Sequence, residues 1–227
     1  MTSLDDLLPP PAATADRPLA GTTLLLVEDS RLACEAMRLL CRRSGDRLRR
    51  ADTLEAAERH LRAWRPGAVV VDLHLPDGSG LDLLAALSRQ RPRLDALLAT
   101  SGDPALERAA RLAGADGFLA KPATLAAFQS ALLACLPPQR RPMGPRPVPH
   151  DAALPDPIAL RDDLSHAQAL LASPRMSLDY VARFLAGVAR SAGDPTLLAA
   201  AQSAAATGVT APLAAALRAR LERQPAL

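Results

Sequence analysis

Lysine is almost absent from this chain: Lys121 is the single one among 27 basic residues, and the other 26 are arginine. Lysine is a compact point charge and arginine a broad planar fork, so a sequence this biased keeps lysine where the fork does not serve. Aromatic residues are also scarce, at 2% of 227. Ala and Leu supply most of the 49% apolar content. That composition argues against a β-sandwich, whose strands need aromatic and β-branched side chains, and favours helices and thin layers. The three cysteines, Cys34, Cys41 and Cys135, are odd in number and irregularly spaced, which excludes a disulfide framework and fits a reducing cytoplasm. Cys34 and Cys41 lie on one predicted helix about 10 Å apart, too far for a bridge, and read as core residues. No run of about 18 apolar residues occurs, so no membrane span is expected. The first residues carry acids and Pro9–Pro11 where a signal peptide would carry basic residues. A net charge of +3 does not by itself imply nucleic acid or membrane.

What is present is alternation. Short apolar runs at 22–27, 47–51, 68–71, 94–99 and 117–120 are separated by amphipathic stretches at 30–44, 53–64, 80–90, 104–113 and 123–135. Five strand–helix repeats predict an α/β domain over 20–136, a doubly wound five-stranded parallel sheet covered on both faces. The run at 47–51 contains three arginines and is expected at an edge. Residues 1–19, rich in Pro and Ala, read as disordered. Residues 137–157 contain eight prolines and read as a stiff linker holding the C-terminal part at a distance. Residues 158–227 carry helical patterns without strands, at 158–172, 177–191, 195–206 and 211–224, and predict a small all-α bundle. In the second of these helices Val181, Phe184, Leu185 and Val188 form a buried stripe.

Polar residues end the apolar runs of the first domain. The first run leads into Glu28 and Asp29, the third ends at Asp72, the fourth at Thr100 and the fifth at Lys121. In a doubly wound sheet all of them lie at the carboxyl edge of the strands, where such folds bind ligands. Three clustered carboxylates repel one another unless a cation joins them, and an all-oxygen set suits Mg²⁺. Asp72 then serves as a nucleophile towards a phosphoryl group, with Lys121 supplying positive charge and the Thr100 hydroxyl a hydrogen bond.

With these residues in place, 20–136 resembles the receiver domain of two-component response regulators, a flavodoxin-like fold. The resemblance rests on Glu28–Asp29 in LLLVEDS, Asp72 in VVVDLHLPDGSGLDLL with Pro76 and Gly78, Thr100 in LLATSGD, and Lys121–Pro122 in GFLAKPAT. It implies phosphorylation of Asp72 by a histidine kinase or phosphotransfer protein. It also implies Asp29, Asp72 and the His74 carbonyl as direct Mg²⁺ ligands with Glu28 acting through water, and Thr100 and Phe118 as switch residues. Ser101 departs from a frequent alanine. The chain is then expected to be a cytoplasmic signalling protein and no enzyme beyond the receiver's own phosphorylation and dephosphorylation.

Residues 178–202 resemble the active helix of histidine phosphotransfer domains: Leu185, Gly187 and Gly193 match, but Arg183 stands where the histidine would, and Ala186 where the lysine would. Arg183, Gly187 and Arg190 form one helical stripe, expected to be exposed. It reads either as a docking surface for a partner protein or receiver, or as a solvated face. Ser165–His166 resembles the phosphorylation motif of a kinase helix, and Asp162 and Asp163 read as first-turn acids. A transcription regulator with a C-terminal DNA-binding domain is the alternative. Its recognition helix, PTLLAAAQSAAA, would carry no Arg or Lys, so nucleic acid is not the expected partner. A homodimer is compatible with a small helical domain.

Overall fold

The computed structural model describes residues 12–142, 156–173 and 176–223. Five parallel strands, β1 (Thr23–Val27), β2 (Arg47–Ala51), β3 (Ala68–Asp72), β4 (Ala96–Ser101) and β5 (Gly117–Ala120), form one sheet in the order β2–β1–β3–β4–β5. The arginine-rich β2 is an edge strand, as its composition requires. Between the strands run α1 (Arg31–Ser44), α2 (Leu54–Ala63), α3 (Gly80–Arg89) and α4 (Glu107–Leu112), and α5 (Leu125–Cys135) follows β5. The fourth helix is shorter than its sequence pattern, because Pro104–Leu106 forms a 3₁₀ turn first. Ser30, Thr53, Ser79 and Thr124 each precede a helix and accept a hydrogen bond from its first turn, satisfying an orphan N–H.

Successive residues of a strand face opposite sides, and β3 shows the result. Val69 and Val71 pack with Leu83, Leu84 and Leu87 of α3. Ala68 and Val70 pack with Cys34, Leu40, Cys41 and Phe128 on the α1 and α5 side. Both of these cysteines are buried and unbridged. A sheet covered on both faces needs such unbroken apolar strands.

The remaining helices are α6 (Pro157–Leu171), α7 (Leu178–Ala192), α8 (Pro195–Thr207) and α9 (Ala211–Arg223). Val181, Phe184, Leu185 and Val188 of α7 are buried as predicted, in a third core with Leu197, Leu213 and Leu217. That core also holds Leu32 of α1, 2% exposed. A Leu taken fully from water contributes about 1.5–3 kcal/mol.

Several expectations need correction. The helical domain is not held away from the sheet domain: α6 and α7 both pack on α1. The expected linker starts fastened to the sheet domain, where Arg140 Nη1 meets Asp95 Oδ2 at 2.6 Å. Residues 143–155 lie outside the described part, as do 1–11. Within the expected disordered N-terminus, Leu19 is fully buried and donates its N–H to Ser44 O. Asp162 and Asp163 lie beyond the first turn of α6, which begins at Pro157. Asp163 serves a different helix: its carboxylate accepts from Ser30 Oγ (2.7 Å), Arg31 N (2.8 Å) and Leu32 N (3.0 Å) at the start of α1. A carboxylate there satisfies orphan N–H groups and meets the positive end of the helix dipole.

Asp163→Ala leaves the start of α1 without its interdomain acceptor and costs about 2 kcal/mol. Hydrogen exchange checks it, as lost protection at the Arg31 and Leu32 amides. A second testable outcome concerns Asp46. It is buried beside the Cys41 thiol, and neither of its carboxylate oxygens has a hydrogen-bond partner among the described residues. Burial raises its pKa from 3.8 to about 6. The folded state therefore binds more protons than the unfolded one between these values, and stability falls as pH rises through that window. Asp46→Asn removes on the order of 2 kcal/mol of that loss, measured by urea unfolding at pH 4 and pH 7. An unchanged pH dependence contradicts the assignment.

Candidate functional site

The strand register brings the polar strand ends together. Asp72 lies opposite Thr100 across β3 and β4, and Ser101 lies opposite Ala120, which immediately precedes Lys121. Glu28 and Asp29 continue β1, beside β3. Gly80 allows the acceptor strand to approach α3: a Cβ there would lie 2.0 Å from the Asp72 carbonyl oxygen.

Lys121 Nζ is 2.8 Å from Asp72 Oδ2 and also pairs with Glu28. Burial alone would lower the Lys121 pKa, but the Asp72 and Glu28 carboxylates outweigh it and push it up. Burial lifts Glu28 to about 8: the Lys121 ammonium pulls it back, while Asp72 and Asp29 add to the rise. Burial likewise lifts Asp29 to about 6, with a hydrogen bond from the Tyr180 hydroxyl opposing it. Glu28, Asp29 and Asp72 can each offer one oxygen such that the three lie within 4.8 Å of one another. An all-oxygen set of three converging carboxylates, two of them buried, fits a hard divalent cation.

The other predicted residues surround this cluster. His74 lines the same cavity and donates its backbone N–H to Asp72 Oδ1 at 3.3 Å. Burial lowers the pKa of its ring. Thr100 is fully buried, and its hydroxyl donates to Leu119 O at 2.8 Å rather than to Asp72. Phe118 is half-buried on the α3–α4 side of the sheet. Ser101 Oγ accepts from Asp103 N–H and lines the cavity. His166 is exposed, edge-on to Phe184, and lines a neighbouring pocket that also reaches Asp29.

The stripe on α7 is not the free face its spacing suggested. Arg183, Gly187 and Arg190 line an interdomain cavity of about 390 Å³ together with Asp72 and Lys121. Of the three only Arg183 is exposed. It pairs with Asp179, and its Nη1 lies 3.3 Å from His74 Nε2. The glycine gives no close approach, since a Cβ on Gly187 would meet nothing within 4 Å.

Two participants escaped the sequence reading. The Tyr180 hydroxyl donates a hydrogen bond to Asp29 Oδ2, from 151 residues away. Arg50 holds the backbone of the acidic pair, with Nε on Glu28 O and Nη2 on Asp29 O at 3.2 and 2.8 Å. Tyr180 had one available signal: it is the only tyrosine in the chain. It lies one turn before Arg183 and Phe184.

Comparison with known proteins places relatives on the sheet domain. The family model for the response regulator receiver domain matches residues 24–133. The probable transcriptional regulatory protein TcrX of Mycobacterium tuberculosis is 38% identical over 101 residues, 44% of this chain and 43% of that protein. The chain thus spans about half the length of the first curated relatives it matches. The photosynthetic apparatus regulatory protein RegA of Rhodovulum sulfidophilum is 33% identical over 126 residues, 53% of this chain and 69% of that protein. Among solved structures, the receiver domain of a Pseudomonas aeruginosa sensor histidine kinase, with magnesium coordinated in its active-site cleft, is 25% identical with a TM-score of 0.46. It covers 51% of this chain and 97% of its own. On the strength of its strand-edge residues and these curated relatives, the chain belongs to the response regulator family, through its receiver domain.

Proposed function

We propose that the chain accepts a phosphoryl group on Asp72 in a two-component phosphorelay, and signals through protein contacts of its helical domain. The observation that carries this is the Asp72 carboxylate at the strand edge, bonded to the only lysine and grouped with Glu28 and Asp29. An Asp72 carboxylate oxygen attacks the phosphorus of a phosphodonor; the new O–P bond forms as the bond to the donor's leaving group breaks, giving an acyl phosphate. Lys121 neutralises developing charge on the phosphoryl oxygens, and Thr100 turns from Leu119 O to donate to one of them. Asp29, Asp72 and the His74 carbonyl would hold Mg²⁺, with Glu28 acting through water, and bound Mg²⁺ would supply further charge neutralisation. By the family resemblance, Phe118 would turn inward as Thr100 moves. The reaction is the receiver's own, and no other enzyme activity is assigned.

The helical domain fits a phosphotransfer-like docking module without a phosphorylatable histidine. Its α7 lies across the acceptor cavity, and Arg183 stands where the histidine would. The relatives matched over the receiver are named as transcriptional regulatory proteins; against a DNA-binding output here stands that α8 carries no basic residue and that its Gln202 lines the same cavity. The donors expected are a histidine kinase or phosphotransfer protein, and the output a protein partner.

With Mg²⁺ and a small phosphodonor the protein gains one alkali-labile phosphoryl group. Asp72→Asn abolishes it, and Lys121→Arg slows it by about tenfold. Full labelling of the Asp72→Asn protein refutes the assignment. Calorimetric titration with Mg²⁺ shows a larger loss of affinity for Asp29→Ala than for Glu28→Ala. No acid-labile label forms, and His166→Ala labels as the unsubstituted protein does; loss of an acid-labile label in that variant would instead make His166 a phosphorylation site.

A further inference from the structure

One cation at the acceptor cavity has no counter-ion among the described residues. Arg190 makes no hydrogen bond or ion pair with any of them, whereas Arg183 is neutralised by Asp179 at 2.9 Å. The Arg190 guanidinium lies over Gly102, in the loop that follows Thr100 and Ser101. A Cβ on Gly102 would come within 2.9 Å of Arg190 Nη1 and 3.4 Å of its Cδ, so the glycine leaves room for the arginine. Leaving a guanidinium half-buried and unpaired is costly unless an anion visits it.

The charge balance of the cavity identifies that anion. With a divalent cation bound, which favours the deprotonated carboxylates, Asp29 and Glu28 carry two negative charges, Lys121 one positive and the cation two positive. A phosphoryl group on Asp72 replaces one carboxylate charge with about two. The phosphorylated receiver site therefore retains roughly one uncancelled negative charge, in the cavity that Arg190 also lines. Guanidinium groups bind phosphoryl oxygens through paired, charge-assisted N–H donors. Gly187 lines the same cavity, and the space beside it is open, since a Cβ there would meet nothing within 4 Å.

We propose that Arg190 is a phosphoryl-binding residue, supplied by the helical domain to the receiver of the same chain. It holds an oxygen of the phosphoryl group on Asp72. Phosphorylation thereby tightens the docking of α7 over the cavity and shields the acyl phosphate from water. This rests on the acceptor reading of Asp72 and adds to it a second domain's side chain.

The test uses the full chain and beryllium fluoride with Mg²⁺, a tetrahedral stand-in for the phosphoryl group, followed by calorimetry. In Arg190→Gln, beryllium fluoride affinity falls by about tenfold, while affinity for Mg²⁺ alone is unchanged. Arg190→Lys retains part of it, and Arg218→Gln, an exposed charge change on α9, has no effect. Small-angle scattering shows the unsubstituted protein staying compact when the analogue binds. Equal affinity in Arg190→Gln and the unsubstituted protein, with binding lost in Asp72→Asn, overturns the role of Arg190 and leaves the acceptor reading intact. Expansion of the unsubstituted protein on binding also overturns it. If the unsubstituted protein binds no beryllium fluoride, the acceptor reading fails and the inference with it.

Discussion

Lys121 Nζ lies between the carboxylates of Glu28 and Asp72 at the carboxyl edge of a sheet whose inner strands are apolar on both faces. Without an ammonium there, three carboxylates would face one another in a site with little water, and each would bind a proton. Even with the ammonium in place, burial raises the proton affinity of Glu28 and Asp29. Arginine brings the same charge but a broader, planar head, which suits bidentate contact at a surface better than insertion between two buried acids. The strand order and the approach of Gly80 to the Asp72 backbone serve this one placement.

The acceptor cluster is legible in the sequence because each of its members ends an apolar run. A parallel sheet puts those ends at one edge whatever the details of loops and helices. The same logic reads β2 correctly, since a strand with three arginines has no place between two others. Contacts between distant elements are not legible in this way. Asp163 meets Ser30 across 133 residues. On its own helix it looks like an acid placed for the dipole of α6, yet it serves the start of α1. Tyr180 and Arg190 likewise acquire meaning only when α7 lies on the receiver.

Proline density reports local stiffness, and stiffness alone does not imply separation of the domains it joins. Where the helical domain rests is decided by the surfaces that meet, here Leu32 inserted into the helical core and Asp163 bonded to the start of α1. Helical spacing correctly separates the face of α7 bearing Arg183 and Arg190 from the face bearing Val181 and Leu185. It cannot say whether water or another domain covers the first of these.

Asp72 is 7% exposed with α7 in place. Under the proposed function, a donor that brought its own helix to this aspartate would need the space that α7 fills, so its transfer would require the two domains to part. The apparent affinity for such a donor would be the intrinsic affinity scaled by that parted fraction. A docking free energy of about 2.7 kcal/mol would leave roughly one molecule in a hundred receptive. Substitutions far from Asp72, at Leu32 or Asp163, would then set the rate of signal entry by altering how often the domains part, with the chemistry at the acceptor unchanged.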